Sequence, residues 1–99
     1  DKSHDRWTAL LDFAKCQGDV YLRPRRAGDR FQPMGLRGHT QSLHKFMIDA
    51  KIPRAVRDLL PILVTGDRIA WVCGWRVDER ARVTSDTREV WRVTFRKLM

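Results

Sequence analysis

Two apolar runs joined by a tight turn constrain this chain more than anything else in it: Ile62-Leu63-Val64-Thr65, then Gly66-Asp67, then Ile69-Ala70-Trp71-Val72-Cys73. A strand with one wet face alternates apolar and polar residues. These runs are nearly continuous, so they predict two central strands covered on both faces. With 99 residues the chain has room for one domain spanning 1–99. The apolar fraction of 42%, with four Trp and four Phe, is enough to build the covering core. No apolar run approaches the ~20 residues needed to span a membrane, and the start, Asp1-Lys2-Ser3-His4, lacks the apolar stretch of a secretory signal. A first residue other than Met reads as a piece of a longer protein. Cys16 and Cys73 read as two reduced thiols of a cytoplasmic protein.

Around the central pair the pattern changes along the chain. Trp7 to Asp12 has two readings. Trp7, Leu10, Leu11 and Ala14 fit a helical stripe, while the shortness of the segment and the following Gly18 fit a strand and turn. Asp19–Arg25 alternates Val20, Leu22 and Pro24 against Tyr21, Arg23 and Arg25, a half-exposed strand made edge-like by Pro24. Ala27–Gly38 carries Gly28, Pro33, Gly35 and Gly38 and reads as an ordered loop, pinned by Phe31 and Met34. Thr40 reads as the N-cap of a helix over about 40–50, with Leu43, Phe46, Met47 and Ala50 inward. Pro53 opens a second helix over about 53–60, with Val56, Leu59 and Leu60 as its buried face. Pro61 stops it. Asp78–Arg88 is polar and loop-like, and Val90–Phe95 alternates cleanly as a half-buried strand. Runs of strands with an inserted helix pair predict an α+β fold: a small layered domain of about five to six strands. Trp71 and Trp91 read as core, and Trp75, after Gly74, as an exposed aromatic.

Charge is unevenly spread. Between Arg23 and Asp58 nine Lys/Arg face three Asp/Glu, so +6 of the total +8 lies in this segment. Such a concentration is the electrostatic footprint of a polyanion partner. Arg23, Arg25, Arg26 and Arg30 form the densest group; Arg37, His39, His44 and Lys45 lie around the start of the first helix, whose free N–H groups suit phosphate. Arg54 and Arg57 are three apart on the second helix and either point together at a partner or pair with Asp49 and Asp58. Catalytic signatures are missing: there is no phosphate-cradling glycine loop, no nucleophile elbow and no informative acid pair. His4, His39, His44, Cys16 and Cys73 match no metal-ligand spacing, so neither a catalytic nor a metal site is assigned.

These pieces resemble the C-terminal domain of bacterial tRNA(Ile)-lysidine synthetases. The resemblance is carried by Leu22-Arg23-Pro24-Arg25-Arg26-Ala27-Gly28-Asp29-Arg30-Phe31-Gln32-Pro33-Met34-Gly35, by Phe46 to Arg54 with Arg57-Asp58, and by Pro61-Ile62-Leu63 with Ile69 to Arg80. It runs from about Trp7 to Phe95. It implies a tRNA-binding appendage that recognises the acceptor arm of an isoleucine tRNA, in a cytoplasmic ligase that uses ATP to attach lysine to the wobble cytidine. ATP and magnesium are implied for a PP-loop domain outside these residues, with no cofactor in this domain. Other domains of the same chain are implied partners, and a homodimer of the full-length enzyme stays open. The resemblance also implies that Trp7–Leu11 is a strand. Relatives carry a Lys-Lys pair where this chain has Gln41-Ser42, which moves the weight of phosphate contact to Arg30, Arg37, Lys45, Arg54 and Arg57. A competing reading is a docking module that packs against other domains of the same enzyme without touching RNA.

Overall fold

The computed structural model describes residues 5–96. The fold is α+β, as expected, with eight strands among the described residues rather than five or six; the additional ones are two-residue pairings too short to read in a sequence. In chain order they are β1 (Thr8–Asp12), β2 (Val20–Arg23), β3 (Arg30–Phe31) and β4 (Gln41–Ser42), then helices α1 (Leu43–Asp49) and α2 (Arg54–Arg57), then β5 (Ile62–Thr65), β6 (Arg68–Val72), β7 (Arg76–Val77) and β8 (Val90–Thr94). Short 3-10 turns cover Phe13–Lys15 and Glu79–Ala81. None of the described helices is long and apolar enough to cross a membrane.

The hairpin β5–β6 is the middle of an antiparallel sheet ordered β2-β5-β6-β7. All four residues of β5 and the last four of β6 are buried. Ile62, Val64, Ile69 and Val72 enter one core with Phe31, Leu43, Phe46, Met47, Ile52 and Leu60. Leu63, Ala70, Trp71 and Cys73 enter a second core with Ala9 and Leu11, where Trp91, Val93 and Phe95 are partly buried. The sheet is thus covered on one side by the helices and the loop before them, and on the other by the two-stranded ribbon β1–β8. A strict alternation along β6 would place Trp71 with Ile69. The register instead pairs Val64 with Ile69 and Leu63 with Trp71, leaving Ala70 as the extra residue of a bulge. That one residue returns Trp71 to the second core and Val72 to the first.

The loop before α1 is held by a buried carboxylate that the sequence reading passed over as part of a polar stretch. Asp78 is 1% exposed. Its Oδ2 accepts from the Gln32 backbone N–H at 2.8 Å, and its Oδ1 from the Arg80 N–H at 2.8 Å. The Arg80 guanidinium closes on both oxygens at 3.0 Å. Asp78 also donates its own N–H to Ala70 O at 2.8 Å, so bulge, loop and 3-10 turn meet at one residue. Phe31 and Pro33 are buried above it, and Phe31 meets Phe46 edge-on at 5.1 Å. Met34, expected as the second pin, is exposed.

Several other local expectations are corrected. The N-cap of α1 is Ser42, whose hydroxyl accepts from Lys45 N–H at 3.0 Å, and not Thr40; the strand pairing of Gln41–Ser42 with β3 takes up the preceding residues. Only one turn of α2 forms, so it has no continuous buried face: Leu60 is buried, but Val56 and Leu59 are exposed, and Ile52 fills the core instead. On β2 the alternation fails, because this edge strand is uncovered: Val20, Tyr21 and Leu22 are all exposed, while Arg23 is the least exposed of the four. Trp75 is half-buried, with the Arg6 guanidinium 4.5 Å from its ring centroid. Cys16 and Cys73 are free and buried, and burial pushes the Cys73 thiol up to about 12.

The end of α1 has one strained residue. Lys51 adopts a left-handed backbone, φ 59°, and Ile52 N–H reaches back to Met47 O at 3.0 Å. This is the helix-ending motif in which glycine normally takes the left-handed place. A lysine there costs about 1–2 kcal/mol through its Cβ and recovers only about 0.3–1 kcal/mol from a cation at a helix C-terminus.

The Asp78 clamp predicts a large stability loss when it is removed. Asp78→Ala leaves the Arg80 charge and two backbone donors without partners, at a cost of about 3–5 kcal/mol. Urea denaturation followed by Trp fluorescence measures it; a loss under about 1 kcal/mol would show that water replaces the carboxylate.

Candidate nucleic-acid interface

The residues singled out in the basic segment divide by what their side chains already hold. Arg23 is committed to the fold. Its Nη1 and Nη2 each donate to Asp29 at 2.9 Å, and Nη1 also donates to Pro24 O. Its Nε is buried without a partner. Arg25 is committed as well: its Nε donates to Asp58 at 2.8 Å, and its Nη1 lies 3.3 Å from His44 Nδ1 and 3.7 Å from Met47 Sδ. Lys45 forms an exposed i,i+4 pair with Asp49 at 3.4 Å, a contact worth little in water. Arg57 donates its Nε to Ile52 O at 2.9 Å, which seats its guanidinium at the corner between α1 and α2.

The others are exposed. Among the described residues the Arg26, Arg30, Arg37 and Arg54 guanidinium groups have no hydrogen-bonded or ion-paired partner, and His39 is exposed beside Arg37. Arg37 sits in a left-handed conformation, φ 55°, between Gly35 and Gly38. The alternative pairing of Arg54 and Arg57 with Asp49 and Asp58 does not form. Asp49 is taken by Lys45 and by Gln41 Nε2 at 3.1 Å, and Asp58 by Arg25. Every acid of the segment is therefore occupied by a residue other than these two.

Asp29 organises the surface between them. Burial alone would raise its carboxyl, but the Arg23 hydrogen bonds, the Arg26 backbone N–H at 2.7 Å and both positive charges outweigh burial and lower it. Arg23 is correspondingly raised, chiefly by its hydrogen bond to Asp29. Two open grooves share Gly28 and Asp29. One is lined by Arg25, Arg26, His44 and Asp58. The other is lined by Arg30, Arg68, Arg80 and Asp67. Arg68 and Arg80 lie far along the chain from Arg30; the packing of β3 on β6, and of the Glu79–Ala81 turn on β6, brings them together. The start of α1 offers less to an anion than its sequence promised: Leu43 N–H is taken by Asp29 O at 2.8 Å and Lys45 N–H by Ser42.

Among the described residues no group of three or more His, Cys, Asp or Glu converges to hold a metal ion; His4 lies outside those residues.

Comparison with known proteins places the chain in a family. The family profile described as the TilS substrate C-terminal domain matches residues 20–94. A tRNA(Ile)-lysidine synthase of Dehalococcoides mccartyi (strain CBDB1) is 44% identical over 98 residues, which is 99% of this chain and 21% of that protein. The tRNA(Ile)-lysidine synthase of Caldanaerobacter subterraneus subsp. tengcongensis is 37% identical over 97 residues, 98% of this chain and 21% of that protein. The crystal structure of a TILS C-terminal domain superposes with a TM-score of 0.71 at 27% identity, covering 98% of this chain and 77% of the other. The chain thus spans about a fifth of the length of the curated relatives it matches.

Asp29 carries a pH signature. A carboxyl lowered in the fold contributes stability that is complete above its unfolded value, about 4, and is lost as pH falls through the lower folded value. Asp29→Asn is expected to destabilise the domain by about 1–3 kcal/mol at pH 7, with the gap to wild type narrowing below about pH 4. Urea melts of both proteins at pH 7 and pH 3 check it; a gap that stays constant would separate the loss from the ionised carboxylate.

Proposed function

The chain belongs to the TilS substrate C-terminal domain family, and from that premise we propose that it is the tRNA-gripping appendage of a cytoplasmic tRNA(Ile)-lysidine synthase. Its target is the acceptor arm of an isoleucine tRNA, held through phosphates. The lysine-attaching chemistry, with its ATP and magnesium, belongs to another domain of a longer protein. The observation that carries this reading is the division of charges. The three acids of the basic segment, Asp29, Asp49 and Asp58, are paired internally, while Arg26, Arg30, Arg37 and Arg54 stay exposed and uncommitted. A surface that neutralises its own acids and leaves arginines in water suits the bidentate geometry of phosphate.

A second reading has one observation in its favour. The edge strand β2 exposes Val20, Tyr21 and Leu22 with an unpaired backbone edge, which suits packing against a neighbouring domain of the longer protein. The two readings use different features and are separated by one titration.

Binding of the chain to isoleucine tRNA is expected to weaken with salt, log K falling with log salt at a slope of about −3 to −5 for four to five neutralised phosphates. Arg54→Ala should weaken binding by about 1 kcal/mol and lower the slope by about one, with an unchanged melting temperature. Filter binding across a salt series measures both; no salt-dependent binding would leave the docking reading alone. In the same preparations, ATP, lysine and tRNA are expected to yield no pyrophosphate, and measurable release would place catalysis inside this domain.

A further inference from the structure

Eight described residues adopt the left-handed backbone that favours glycine, and six of them are glycines. The other two, Arg37 and Lys51, are both cations of the basic segment. Arg37 already belongs to the exposed set above. Lys51 does not, and its strain exceeds what a cation gains at the end of α1, so the fold alone favours glycine or asparagine there.

No partner within the chain explains the choice. Lys51 is exposed and makes no ion pair among the described residues. Asp49, two residues before it, is held by Lys45 and Gln41. Asp58, at the far end of α2, is held by Arg25. What Lys51 does have beside it is more positive charge. The Arg57 guanidinium is anchored on Ile52 O, one residue away, and Arg54 begins α2 three residues on. Three cations therefore share the corner between α1 and α2, with both local acids spoken for. Like charges gathered in this way repel in the free protein and favour binding of an anion. Backbone strain retained at an exposed charged residue points the same way.

We propose that Lys51, with Arg54 and Arg57, forms a three-cation clamp on the phosphodiester backbone of the bound RNA. The inference rests on the RNA-binding reading and adds to it a residue and a place: the α1–α2 corner, where the left-handed turn at Lys51 leads directly into the helix that carries both arginines. Lysine suits the position as a compact charge on a flexible stem, able to reach a phosphate without the fixed fork of arginine.

The test is a variant whose stability and affinity should move in opposite directions. Lys51→Gly removes both the strain and the charge. Its melting temperature is expected to rise by about 2–5 °C, while its affinity for isoleucine tRNA falls about fivefold and its salt slope drops by about one. Lys51→Arg keeps the charge and should hold affinity within about twofold. If Lys51→Gly binds tRNA like wild type with the same slope, the clamp is wrong and the strained lysine serves another acidic surface. If Lys51→Gly melts below wild type, the lysine is a structural choice and the argument from strain fails. Should wild type itself show no salt-dependent binding, the RNA reading falls and the clamp with it, a result the first titration point distinguishes from failure of the clamp alone.

Discussion

The bulge at Ala70 is the constraint on which the layered arrangement depends. The hairpin β5–β6 divides the domain into two cores, and each of its residues must choose one. Without the bulge, Trp71 would leave the ribbon side and crowd the space filled by Phe31, Phe46 and Met47, while Val72 would leave it. With it, the bulky indole packs against Ala9, Leu11 and Ala81, small or flexible enough to receive it. The carbonyl of the bulged residue is then the acceptor for Asp78 N–H. The same local irregularity thus sorts the cores and fixes the carboxylate that ties down the loop. A bulge that both bends a strand and seats a polar anchor is tolerated only because every group it frees finds a partner.

From that anchor the surface follows. Asp78 holds Gln32, which fixes β3 and the turn carrying Asp29. Asp29 in turn gathers Arg23 and the Arg26 backbone, and its carbonyl receives Leu43 at the start of α1. Asp12, Asp29 and Asp78 are therefore structural, each placed where it satisfies donors that burial would otherwise leave costly. The consequence is a redistribution of charge. Asp29 and Asp58 are paired with Arg23 and Arg25, Asp49 with Lys45, and Arg26, Arg30, Arg37 and Arg54 stand in water. The positive surface is a by-product of how the acids are used as much as of how many cations the sequence contains.

This explains which parts of the site were legible. The concentration of charge between Arg23 and Asp58 is visible in composition, and it includes the exposed Arg26, Arg30, Arg37 and Arg54. It cannot tell a committed arginine from a free one, because commitment depends on where a carboxylate thirty residues away comes to rest. Arg25 with Asp58 is such a case. Arg23 lies on a strand whose apolar residues are the exposed ones, so pattern pointed the wrong way there. Thr40 and Ser42 are equally good caps by type; the β3–β4 pairing decided between them.

The sequence by itself determined the α+β class, the buried hairpin Ile62–Cys73, the half-buried strand Val90–Thr94, the two short helices in their order and the family to which the chain belongs. These are written in periodicity, in turn residues and in contiguous motifs, all of which act over a few neighbouring residues. Only the tertiary structure decided the bulge at Ala70, the burial of Asp78, the pairing of Arg23 with Asp29 and Arg25 with Asp58, and the joining of Arg30 with Arg68 and Arg80 around one groove. Each of these is a contact between residues distant in the chain. Its free energy depends on desolvation and geometry that exist only once the layers have packed.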